Sequence, residues 1–115
     1  MKEGKTSINR GDIWYADLPE VGDSIQYGER PVIVISNEYC NKYSSVITII
    51  PLTSVYKKKN QPTHIYIKHE NLKASVVICE QIITISKDRL SKKLGRINNK
   101  DMTRIERGIK IQVGI

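Results

Sequence analysis

The sequence predicts a mainly β protein with some α: one small, strongly bent sheet or barrel followed by a single C-terminal helix. Three observations carry this. At 115 residues the chain is one domain, long enough to bury a core and too short for two. Its core must be aliphatic, because there is no Phe and one Trp against many Ile and Val, and β-branched side chains suit strands. Six or seven short apolar runs, divided by turn residues, precede one terminal stripe at helical spacing. That pattern differs from the strict alternation of an α/β fold.

The elements follow in order. Residues 1–9 read as a frayed N-terminal tail and 10–115 as the domain. Asp12 to Asp17 is the first strand, with Trp14 and Tyr15 on opposite faces and Trp14 assigned to the core. Residues 18–29 hold Pro19, Gly22 and Gly28 and read as a long loop, a kind of segment that tends to carry function. Arg30 to Ser36 is a second strand, whose Val-Ile-Val-Ile run is apolar on both faces and belongs in the middle of the sheet. Asn37 to Tyr43 reads as a turn or one helical turn. Ser45 to Thr53 is a third strand, and Pro51 near its end points to an edge or a bulge.

Lys57-Lys58-Lys59 then marks a basic loop. Thr63 to Lys68 alternates, with His64, Tyr66 and Lys68 on one face and Ile65 and Ile67 on the other. Ser75 to Cys79 and Gln81 to Ile85 form one strand or a pair, interrupted at Glu80. Lys87 to Leu90 is a turn or short helix, and Lys93 to Ile97 a last strand. Asn98 or Asn99 caps a helix on which Met102, Ile105, Ile109 and Val113 make one apolar stripe.

The formal charge is +7. From Lys87 to Lys110 there are nine Lys/Arg against three Asp/Glu, a surplus that attracts polyanions. No apolar run approaches the roughly 20 residues that span a bilayer, and the first residues lack a signal-peptide core. The chain therefore reads as a soluble cytoplasmic protein. Cys40 and Cys79 have no neighbours at metal-ligand spacing, so two reduced thiols and no metal site are expected.

Glycine-rich phosphate loops, His-Glu zinc motifs and nucleophile elbows are all missing from the sequence. What remains is a set of polar residues at strand ends: Ser24, Gln26 and Arg30 around the long loop, Thr53 closing the third strand, and Glu80-Gln81 amid apolar sequence. Arg30 precedes Pro31, which biases its backbone toward extended geometry. A buried Glu80 is costly unless paired, and an Arg30–Glu80 or Arg30–Thr53 neighbourhood would meet that need. Gln26 and Gln81 suit either base edges or loop backbone.

Five segments, taken together, resemble the MazF/PemK/Kid family of toxin endoribonucleases. They are R-G-D-I-W-Y-A-D-L from Arg10, the turn Gln26 to Pro31, Pro51-Leu52-Thr53, Pro62-Thr63-His64, and Glu80 to Ile85. The resemblance covers nearly the whole domain. It implies a small SH3-like, CcdB-type β-barrel acting as a homodimer, which cuts single-stranded RNA, mostly mRNA, without a metal or other cofactor. It also implies a cognate antitoxin with an acidic, disordered tail.

By the same resemblance Arg30 and Thr53 are the catalytic pair, and the products are a 2′,3′-cyclic phosphate and a 5′-hydroxyl. An arginine is a poor general base at neutral pH. The family loop often has an acidic residue where this chain has Ile25, so Glu29 or Glu80 would have to substitute. His64 and Ser24 are further supporting candidates, with Gln26, Tyr27, Lys57, Lys58 and Gln81 as RNA contacts. The alternatives are a non-catalytic gyrase poison resembling CcdB, or a plain RNA-binding barrel. The first would carry a functional C-terminal tip, usually aromatic, whereas this chain ends Gln112-Val113-Gly114-Ile115.

Overall fold

The structure is a computed structural model that describes residues 7–54 and 61–115. The expected basic loop, with Lys57 and Lys58, lies outside the described residues, as do residues 1–6 of the expected tail. Ile8, in the described part of that segment, packs against the core.

Seven strands and two helices follow in chain order: β1 (Asp12–Leu18), β2 (Gly28–Val34), α1 (Glu38–Tyr43), β3 (Val46–Thr53), β4 (His64–His69), β5 (Leu72–Ile78), β6 (Ile83–Ser86), β7 (Leu90–Arg96) and α2 (Asn99–Val113). Short 3-10 turns at Cys79–Gln81 and Lys87–Arg89 flank β6. Asn37 caps α1 by accepting the Cys40 N–H at 2.8 Å, and Asn98 caps α2 by accepting the Asp101 N–H at 2.7 Å.

The strands lie in the order β4-β5-β3-β2-β1-β7, all pairs antiparallel, and β6 also pairs with β3. The sheet curls until its two ends meet. Asn71, in the β4–β5 turn, donates from Nδ2 to Leu94 O of β7 at 2.6 Å. The His69 ring lies so close to Gly95 that a Cβ there would come within 2.7 Å of it. Side chains rather than a ladder close the barrel at this seam.

Two aliphatic layers cover the two faces. One, under α2, contains Ile13, Ile33, Ile50, Leu52, Val77, Met102 and Ile105. The other contains Trp14, Ala16, Val32, Val34, Ile47, Ile49, Ile85 and Leu90. The period-2 alternation of strands accounts for the division, Ile33 going to one layer and its neighbours Val32 and Val34 to the other. β2 lies centrally, between β1 and β3, as its doubly apolar run predicts. Trp14 is buried and Tyr15 exposed.

Three expectations need correction. Of the edge or bulge expected at Pro51, the edge is absent. β3 is internal, and on its second side it pairs with β6 as far as Ile49 and with β5 from Leu52. Pro51 falls in the gap between those partners, where an absent N–H costs that side no ladder bond. The helical stripe also ends early: Met102 and Ile105 are buried and Ile109 packs against the core, but Val113 is exposed. Finally, β2 starts at Gly28, because its pairing with β1 continues to Leu18↔Gly28. Arg30 therefore stands inside a strand, and the loop shrinks to residues 19–27.

Candidate active site

Strand alternation decides which side chains can meet. Arg30 has the parity of Val32 and Val34, so it emerges on the face away from α2. β2 and β3 pair as Val32↔Pro51 and Ile33↔Ile50. That pairing stops short of Arg30 and Thr53, but strand parity puts both side chains on the same face. Thr53 in turn pairs with Val76 of β5, and Val76 with Tyr66 of β4. Thr53 is buried and Arg30 half-buried.

Arg30 donates from Nε to Tyr27 O at 3.0 Å, closing the chain back on the loop. Among the described residues it makes no ion pair. Its terminal amino groups thus form a permanently charged, planar fork that no carboxylate of the described residues neutralises. Tyr27 itself is exposed beside it.

Glu80 finds its partner elsewhere than at Arg30. In the turn after β5 its Oε2 lies 2.6 Å from His64 Nε2. Burial alone would raise the carboxyl pKa. The hydrogen bonds from His64, its own backbone N–H and Thr63, with the charge of His64, outweigh that and hold it below the ordinary 4.5. His64, expected on the polar face of β4, is buried because this contact covers it. A carboxylate held low and tied to an imidazole suits a structural or electrostatic part better than proton abstraction at neutral pH.

The Gln81 side chain reaches the β1–β2 loop. Its Oε1 accepts the Gln26 N–H at 2.8 Å and its Nε2 donates to Ser24 O at 3.0 Å. Ser24 adopts φ 66, a left-handed conformation uncommon for a residue with a Cβ. Glu29 points to the face opposite Arg30, where it stands across from Asp17. The structure thus joins Ser24, Gln26, Tyr27, Arg30 and Gln81 in one cluster and links His64 to Glu80. It leaves Glu29 apart.

Among the described residues no group of three or more His, Cys, Asp or Glu could hold a metal ion. Both cysteines are free, and burial, reinforced by the Glu80 charge, pushes the Cys79 thiol up to about 12. Of the nine basic side chains from Lys87 to Lys110, Arg89, Lys93 and Arg104 are in ion pairs. Lys92, Arg96, Lys100, Arg107 and Lys110 are exposed. No helix of the described residues is long and apolar enough to cross a membrane.

Residues 9–113 match the profile of a family described as PemK-like, MazF-like toxins of type II toxin-antitoxin systems. A protein named Endoribonuclease MazF, from Staphylococcus saprophyticus subsp. saprophyticus, is 39% identical over 111 residues, which is 94% of this chain and 92% of that protein. Among solved structures, MazF from Deinococcus radiodurans superimposes with a TM-score of 0.84 at 16% identity, covering 96% of this chain and 100% of its own. A mycobacterial endoribonuclease in complex with its cognate antitoxin gives 0.79 at 24% identity, covering 94% of this chain and 96% of its own. At these identities the structural likenesses speak for the fold.

Proposed function

The chain belongs to the PemK-like, MazF-like family of type II toxins, and from that premise we propose how its site cuts RNA. It is an endoribonuclease toxin of a toxin–antitoxin pair. In the reaction we assign to it, the ribose 2′-OH attacks the adjacent phosphorus and the 5′-oxygen of the next nucleotide leaves. The products are a 2′,3′-cyclic phosphate and a 5′-hydroxyl.

The pentacoordinate transition state gathers negative charge on the non-bridging oxygens. Arg30 offers its terminal amino groups to those oxygens, and the Thr53 hydroxyl adds a donor from the same face. Preorganised donors of this kind lower the barrier by about 3–4 kcal/mol each. The single observation that carries the assignment is an arginine on the Thr53 face, anchored at Nε by Tyr27 O and without an ion pair among the described residues. Tyr27, exposed next to it, offers a ring on which a base can stack.

The single-stranded stretch of an mRNA is the substrate in this reading, which places the toxin in the cytoplasm. Lys92, Arg96, Lys100, Arg107 and Lys110 supply positive surface for the RNA and, in turn, for an acidic antitoxin tail. A second copy of the chain completes the active form. Incubating the purified protein with mixed-sequence RNA in EDTA tests the proposal. Fragments with 5′-hydroxyl ends support it, whereas RNA that is bound and left intact points to a plain binding barrel.

A further inference from the structure

The loop between β1 and β2 has no ladder of its own, and residues 21–25 are exposed. A segment like this samples many conformations unless something outside it intervenes. Gln81 does so with both ends of one amide, pairing with Ser24 O and the Gln26 N–H much as the peptide of a neighbouring strand would. Immediately after this clamp comes Tyr27, whose carbonyl receives Arg30 Nε.

The clamp stands on a firm base. Gln81 ends the 3-10 turn that begins at Cys79, and Cys79 is pressed against α2 at Gly108, where an added Cβ would come within 2.7 Å of Sγ. The chain of contact therefore runs from α2 through the turn to Gln81, on to the loop backbone, and ends at the guanidinium.

We propose that Gln81 is a positioning residue for RNA cleavage: by clamping Ser24 and Gln26 it fixes Tyr27 O, and so orients the fork of Arg30. The proposal rests on the nuclease reading above. Both polar atoms of its amide already bond to the loop, and in this proposal Gln81 acts through Arg30 rather than on a base edge. Arginine has a long, freely rotating stem, so holding Nε in place removes much of the freedom of the terminal amino groups.

Single-turnover and steady-state cleavage of an RNA oligonucleotide by Gln81→Ala tests this, together with amide exchange at Gln26. The expected result is a kcat lower by about 10- to 100-fold with KM within about threefold, as a displaced catalytic group gives. The cleavage sequence stays the same and the Gln26 amide loses its protection. Gln81→Glu, which keeps the acceptor for Gln26 but loses the donor to Ser24, should fall between Gln81→Ala and the parent. Adding Gln81→Ala to Arg30→Ala should slow cleavage no further.

A raised KM with a changed cleavage sequence would overturn the proposal, because Gln81 would then be reading a base. An unchanged kcat in either variant, whatever happens to melting temperature, would also overturn it. Failure of the parent protein to cut RNA is a separate outcome that removes the nuclease reading and this proposal together.

Discussion

Arg10, just ahead of β1, and Arg30, early in β2, lie at opposite ends of one hairpin, and both donate from Nε to a backbone carbonyl at 3.0 Å, Ile35 O and Tyr27 O respectively. Beyond that bond they differ. Arg10 NH1 meets Glu106 Oε2 of α2 at 2.9 Å, and its backbone N–H bonds to Glu38 of α1. It ties three elements together and its charge is matched. Arg30 makes no ion pair among the described residues, and a clamped loop surrounds it instead. One end of the hairpin is a staple and the other is an open cationic fork. A carboxylate 96 residues away, not anything local, makes the difference.

The contrast can be broken most sharply by truncating both arginines. Arg30→Ala should slow cleavage by about 100- to 1,000-fold, the cost of removing one preorganised donor. Its unfolding free energy should stay within about 1 kcal/mol of the parent. Arg10→Ala should do the reverse: a loss of about 1–2 kcal/mol from one partly exposed ion pair and the hydrogen bond to Ile35 O, with kcat little altered. Urea unfolding and cleavage kinetics on both variants check the pair of outcomes.

Thr53→Val keeps the volume and strand propensity of a buried residue and removes the hydroxyl. The rate should fall by about 10- to 100-fold if that hydroxyl reaches the phosphate. Gly108→Ala tests the support behind the open end. A methyl group forced against Cys79 Sγ should destabilise the fold by about 1–3 kcal/mol, and Cys79→Ala in the same chain should relieve most of that.

The smallest effect concerns Glu80. Its folded pKa lies below 4.5, so its contribution is present in full above that value and is lost as pH falls through the lower, folded one. Glu80→Gln should therefore cost less than about 1 kcal/mol at pH 7, as for a solvent-screened pair, and a smaller amount at pH 4. Urea midpoints at the two pH values measure it.

Much of this was legible in the sequence because it is local. The doubly apolar 32–35 run gave a central strand, Asn98 or Asn99 gave a helix cap, and Gln26 to Pro31 placed Arg30 beside the loop. Pro51 misled because an internal strand can change partners along its length, which no local pattern reports. The partner of Glu80 was not legible either: alternation put His64 with exposed Tyr66 and Lys68, and only the turn at 79–81 brings a carboxylate over it. Gln81 was readable as either a base contact or a loop tether, and the choice needed the loop's position in space.

The claim that Arg30 contacts the scissile phosphate is tested most directly by sulfur substitution at that phosphate. RNA carrying a single Rp or Sp phosphorothioate at the cleavage site should be cut at clearly different rates by the parent protein. Arg30→Lys, which keeps the charge but lacks the planar fork, should lose most of that discrimination. Equal sensitivity to the two isomers in both proteins would contradict the account.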